Sequence, residues 1–318
     1  MKSIIEYVQE FIREQWHPGY FSMVGSFLGV LFFFNYQYRL ESSIIHRLVF
    51  PGEHIAFYFA LYFIPYVLTH SAYALVKRDL TVLCSRRFWV LSVFGFLVLA
   101  TYIALHDGPS YFLRTNPTLY GSLPKEFQVF TARCASNILP LSLMSIPLIG
   151  YWWKVDRSSM PLYGLSAKTI DLRPYILILL FLTPLLFGVS FTTDFQLAYP
   201  RYKFGFPEHL TPGGQKFFAG VFELCYGADF VFVEFFFRGF MVLAFARLIG
   251  TRAIIPMVVV YALIHFEKPL LEALSSIAGG LVLGVVSSRT KSIYGGVIVH
   301  LGIAYMMEIA GTMQMAIR

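Results

Sequence analysis

Apolar residues run in long blocks between short polar stretches. Nine such blocks predict membrane-length or nearly membrane-length helices at 20–36, 54–76, 88–105, 137–153, 174–193, 216–248, 252–267, 270–288 and 292–312. The first and seventh are short. At about 1.5 Å per residue the sixth is long for one crossing, and Gly220 and Gly227 lie where it can tilt, kink or divide. Thr211 followed by Pro212 marks its start as a cap and a first-turn proline. Ahead of all nine, Ile4, Ile5, Val8, Phe11, Ile12 and Trp16 form one helical stripe, interrupted by Glu6, Glu10 and Glu14. That pattern predicts a helix lying in the bilayer interface. It does not fit a cleaved signal, because no small-residue cleavage site follows. The expected fold class is therefore all-α, a polytopic membrane helix bundle with about 8–9 transmembrane helices and an N-terminal interfacial helix.

Composition excludes a soluble domain: 57% of the 318 residues are hydrophobic and 14% charged. The net charge of +7 does not point to nucleic acid, because Lys and Arg are scattered singly between apolar runs rather than gathered on a basic face. Cys84, Cys134 and Cys225 have no metal-type spacing and indicate no disulfide framework. If all nine segments cross, the loops on the N-terminal side carry fourteen basic residues against ten on the other. The positive-inside rule then puts the N-terminus in the cytoplasm, in a plasma or inner membrane. The chain divides into an amphipathic helix at 1–19, an N-terminal transmembrane bundle at 20–153, a polar cytoplasmic connector at 154–173 and a catalytic-core bundle at 174–318.

Ionisable residues inside apolar segments concentrate in the second half: Glu223, Asp229, Glu234, Arg238, His265, His300 and Glu308. A charge in hydrocarbon must be paired, solvated or used. Glu234 and Arg238 are four residues apart, so a helix stacks them on one face. Glu234 lies sixteen residues before Gly250 and His265 fifteen after it, so a hairpin turning at Gly250 gives both the same depth, roughly 20 Å. His300, about ten residues past the next turn, lies roughly 15 Å deep. A carboxylate beside an imidazole can activate water, an Arg can orient the carboxylate, and a second His can stabilise an oxyanion. Glu234, His265 and His300 equally suit zinc, which two His and a carboxylate can bind, although no cofactor is required. Gly280 and Gly284 form a small-residue step for close helix packing, and Gly295 and Gly296 can do the same one turn before His300.

The order VEFFFRGF, then YALIHF, then SIAGGLVLGVVSSRTKSIYGGVIVHLGIA resembles the CPBP or ABI family. That family comprises intramembrane proteases that include the CAAX prenyl endopeptidases and bacteriocin-processing or self-immunity proteins. With PLYGLSAKTIDLRPYILILL, the resemblance covers Pro161 to Gly311. It implies a helical membrane endopeptidase in which Glu234 is the second of a glutamate pair and Arg238, His265 and His300 fall on motif positions. Tyr261 stands where the family has Phe. Two motif positions differ: Val233 replaces the first glutamate, thought to activate water, and Ala304 replaces an Asn thought to help form the oxyanion hole.

The expected function is a membrane-embedded endopeptidase acting on a peptide or membrane-protein substrate near the bilayer interface, with catalytic residues Glu234, Arg238, His265 and His300. The alternative is a catalytically inactive relative that binds a peptide or protein partner as an immunity or regulatory scaffold. A transporter fits less well, because no internal repeat is visible and the charges cluster at one place. Asp229, four residues before Val233, is a poorly placed substitute base and reads better as a polar group near water. Glu223 and Glu308 read as helix-end residues, and His54 and His70 as structural.

Overall fold

The computed structural model describes residues 3–48, 50–116, 123–166, 171–203 and 210–317. The expected connector at 154–173 and the loops at 106–136 and 194–215 therefore fall partly outside the described residues. All regular elements among the described residues are helices. Among the described residues, seven helical runs are long and apolar enough to cross a membrane: Pro18–Tyr38, Pro51–Lys77, Arg86–His106, Lys125–Asp156, Gly213–Leu263, Leu270–Thr290 and Tyr294–Ile317. The protein is thus a polytopic integral membrane protein.

Two of the nine expected segments fall short of that length when taken singly. Arg173–Val189 has 17 residues and rises only about 26 Å, short of a bilayer core of about 30 Å. The expected seventh span shrinks to the ten residues Ile254–Leu263, about 15 Å long. It continues, through a turn at Gly250, one 51-residue helical run. Gly250 takes φ +61 there, a conformation that favours glycine.

The chain forms two compact units built from interleaved segments. One comprises 1–100, 148–174 and 234–296, and the other 101–147, 175–233 and 297–318.

In the first unit, the helix Ile4–Gln15 opens with a capping box in which Ser3 and Glu6 satisfy each other's backbone N–H groups. Phe11 is buried, while Ile5, Ile12 and Trp16, spaced to share a face, are exposed. Glu14 accepts from Arg289 at 2.7 Å and Gln15 donates to Thr251 at 2.9 Å. Tyr66, Phe88, Phe96, Phe240 and Phe245 fill the interior. The turn at Tyr163 (φ +40) and Gly164 (φ +81) presses its backbone against the helix at Gly239. A Cβ at Gly239 would stand 2.6 Å from the Tyr163 carbonyl oxygen, so only glycine allows this approach. The turn is held by buried Asp156, which accepts from Tyr163 Oη at 3.1 Å and pairs with Arg247.

In the second unit, Thr211 caps the helix Pro212–Glu234 as expected, its Oγ1 accepting from Gly214 N at 3.2 Å. Phe222 and Tyr226 of this helix pack with Ala304. Glu223 and Glu308 are not at helix ends. Both lie inside their helices, Pro212–Glu234 and Tyr294–Ile317. Glu308 accepts the Arg201 backbone N–H on both carboxylate oxygens, at 3.0 and 2.9 Å. The Glu223 carbonyl accepts from Tyr305 Oη at 3.1 Å.

Candidate active site

The helix that carries the motif is α-helical to Glu234 and then π-helical over Phe235–Ala244. Each π turn takes one residue more than an α turn, and such turns are frequent at functional sites. Glu234 and Arg238 remain neighbours across this change, with Arg238 Nη1 2.9 Å from Glu234 Oε1. Both side chains are completely buried. A lone charge at that depth is strongly disfavoured, so each is the condition for the other.

Two ring contacts extend the pair. The Arg238 guanidinium lies over the Tyr261 ring, 4.1 Å from its centroid, a cation–π arrangement. Phe237 meets the same ring edge-on at 5.1 Å. Tyr261 in turn packs against the His265 ring at 4.8 Å. His265 Nδ1 lies 2.7 Å from the Tyr261 carbonyl oxygen. A carbonyl only accepts, so Nδ1 carries the hydrogen, and in the neutral ring Nε2 is the acceptor nitrogen.

His265 does not lie on a helix, as the equal-arm hairpin had it. The helix ends at Leu263, and His265 sits in the turn that follows. Shorter backbone bonds tighten that turn, His265 N to Ala262 O at 3.2 Å and Phe266 N to Leu263 O at 3.1 Å. Pro269 soon follows and keeps the preceding residue out of helical geometry.

Glycines shape the walls around this row of side chains. A Cβ at Gly296 would stand 2.1 Å from Glu234 Oε2, and one at Gly280 would stand 3.0 Å from the Tyr261 ring. The small-residue step therefore accommodates the side chains of the site itself: Gly280 faces Tyr261, Gly284 faces Met257 and Gly296 faces Glu234.

The first unit thus brings together Glu234, Arg238 and His265 through Tyr261. His300 belongs to the second unit, where Phe230 is its ring neighbour at 4.5 Å. There too, Asp229 accepts from Tyr102 Oη and meets His106 Nε2 at 3.3 Å. Both its oxygens are engaged, so it is a bonded polar group rather than a ready replacement for a glutamate at 233. Val233 and Ala304 are buried and apolar. Sequence reasoning missed Tyr102 and His106, whose signal was their own spacing of four at the end of an apolar helix. Among the described residues, no group of three His, Cys, Asp or Glu side chains is placed to hold a metal ion.

Residues 215–306 match the family model of the type II CAAX prenyl endopeptidase Rce1-like proteins. This segment resembles the Rce1-like family. The resemblance to the CAAX protease group therefore holds over a stretch that begins just after the Thr211 cap and includes Glu234, Arg238, His265 and His300. The spans before residue 215 lie outside the Rce1-like match. No curated protein and no solved structure matches the chain.

Proposed function

We propose that the protein is a membrane-embedded endopeptidase of Rce1-like type, which hydrolyses a peptide bond of a peptide or membrane-protein substrate near the bilayer interface. One observation carries the reading: within the Rce1-like segment, a fully buried Glu234–Arg238 pair is linked through Tyr261 to a half-buried His265 whose Nε2 is an acceptor nitrogen. His265 Nε2 takes a proton from a water molecule as the water oxygen attacks the scissile carbonyl, and returns that proton to the amine nitrogen as the C–N bond breaks, leaving a carboxylate and a free amine. Glu234, closed off behind Arg238, supplies the compensating negative charge and holds the Arg238–Tyr261 stack in place. No cofactor enters the reaction. The N-terminus faces the cytoplasm.

A second reading has a specific observation behind it. Val233 and Ala304 replace two polar groups of the family pattern, and both are buried in apolar packing. On that reading the protein binds a peptide or protein partner without cleaving it.

The test uses the full chain in lipid nanodiscs with a fluorogenic prenylated CAAX peptide and its unprenylated counterpart. Cleavage lost in His265→Ala and His300→Ala, with both variants still monodisperse, supports the endopeptidase. An inert wild type beside an active Val233→Glu, Ala304→Asn double variant favours the binder.

A further inference from the structure

The turn that carries His265 is held from a distant part of the chain. Asn35 Nδ2 donates to the Phe266 carbonyl at 3.0 Å, and Tyr36 Oη donates to the Lys268 carbonyl at 2.7 Å. Phe32 meets the Phe266 ring edge-on at 5.2 Å. Residues 32, 35 and 36 occupy i, i+3 and i+4 on the helix Pro18–Tyr38, one face of its last turn. That face therefore touches the two residues flanking Glu267, immediately after His265.

The orientation of the Asn35 amide is fixed by its surroundings. Asn35 is buried, and its Oδ1 accepts the Glu41 N–H at 3.3 Å, which leaves Nδ2 as the donor to Phe266. Removing the side chain orphans a buried carbonyl and weakens the hold on Glu41 together. Buried polar groups in a membrane segment are rare and commonly functional. This one lies 231 residues in sequence from its partner and outside the Rce1-like segment.

We infer that Asn35 and Tyr36 are positioning residues for His265, fixing the turn at 265–268 so that the imidazole keeps its place against Tyr261. Neither side chain needs to touch a substrate. They act on the backbone that sets the direction of His265, and a catalytic group displaced by about 1 Å can lose on the order of 100-fold in rate. The first span then contributes to the site as well as anchoring the chain. The inference rests on the proposed role of His265.

The experiment compares wild type, Asn35→Leu, Asn35→Asp and Tyr36→Phe as full chains in nanodiscs. Two readouts are taken. The first is kcat and KM on the prenylated CAAX peptide. The second, independent of activity, is the rate at which diethyl pyrocarbonate modifies His265, followed by mass spectrometry of its peptide.

Asn35→Leu and Asn35→Asp, both lacking the donor to Phe266, should lower kcat about 10- to 100-fold with KM nearly unchanged. They should also change the His265 modification rate several-fold while the rate at the distant His17 stays constant. Tyr36→Phe, which removes one oxygen, should show both effects in weaker form. It keeps the test open if the Asn35 variants do not fold. Unchanged His265 reactivity in the folded variants overturns the inference, whatever the activity. A wild type that cleaves nothing overturns the endopeptidase reading. In that case a changed His265 reactivity still supports the clamp on the turn.

Discussion

Arg238 lies over the ring of Tyr261 at 4.1 Å while its Nη1 holds Glu234 at 2.9 Å, so one buried cation serves a carboxylate and an aromatic face at once. Truncating it leaves a charge with no solvent to receive it. Arg238→Met should destabilise the protein by about 3–5 kcal/mol. The double variant Glu234→Leu, Arg238→Met should recover most of that loss, because neither buried charge remains. Thermal unfolding of the wild type, the single variants Arg238→Met and Glu234→Leu, and the double variant in detergent measures the coupling. Additive losses would mean that the two residues are independent, contrary to the geometry.

Gly296 is the second point of contact on Glu234. Gly296→Ala puts a methyl group into the space of Oε2, which has no solvent-filled room to retreat into, and should cost about 1–3 kcal/mol. Gly279 provides the control. A Cβ there meets nothing within 4 Å, so Gly279→Ala should be neutral or stabilising by up to about 1 kcal/mol. Equal melting temperatures for the two alanine variants would contradict the packing described.

Glu41, in the short helix Leu40–Ile45 between two spans, makes stability depend on pH. Burial first, and then the nearby Glu267 carboxylate, raise its pKa from 4.5 to about 8, with a hydrogen bond from Tyr58 opposing. The folded state therefore holds a proton that the unfolded chain releases near pH 4.5. The contribution is fully present below that value and declines as pH rises, until it is lost beyond about 8. Glu41→Gln should flatten this decline, so that the variant exceeds the wild type in melting temperature at pH 9 more than at pH 5. Parallel pH profiles for the two proteins would remove Glu41 as the source.

Much of the arrangement was legible in local sequence. The spacing of Glu234 and Arg238 predicted their pairing, Thr211 its cap, and Gly250 the turn that brings Tyr261 back to Arg238. These are short-range consequences of helix geometry, available wherever a residue and its partner lie within a few turns or face each other across one hairpin. The rest depends on tertiary contacts that no period encodes. Asn35 is one polar residue in an apolar helix, and only the fold shows that it reaches Phe266. The helix before His265 looked long enough to hold it, yet the backbone turns after Leu263. Asp229 stood on the face of Val233 as expected, but its bonds to Tyr102 and His106 come from a helix that nothing in its own neighbourhood announces.

The ten π-helical residues after Glu234 also bear on how this chain can change over time. A wide turn holds one residue more than an α turn. One lost residue within 240–244, past Arg238 and Gly239, can be absorbed by a wide turn tightening to α geometry, which leaves the flanking helix facing as before. The same loss within Ile254–Leu263 has no such reserve and would rotate Tyr261 away from Arg238. Two neighbouring apolar stretches thus differ in their tolerance of deletion.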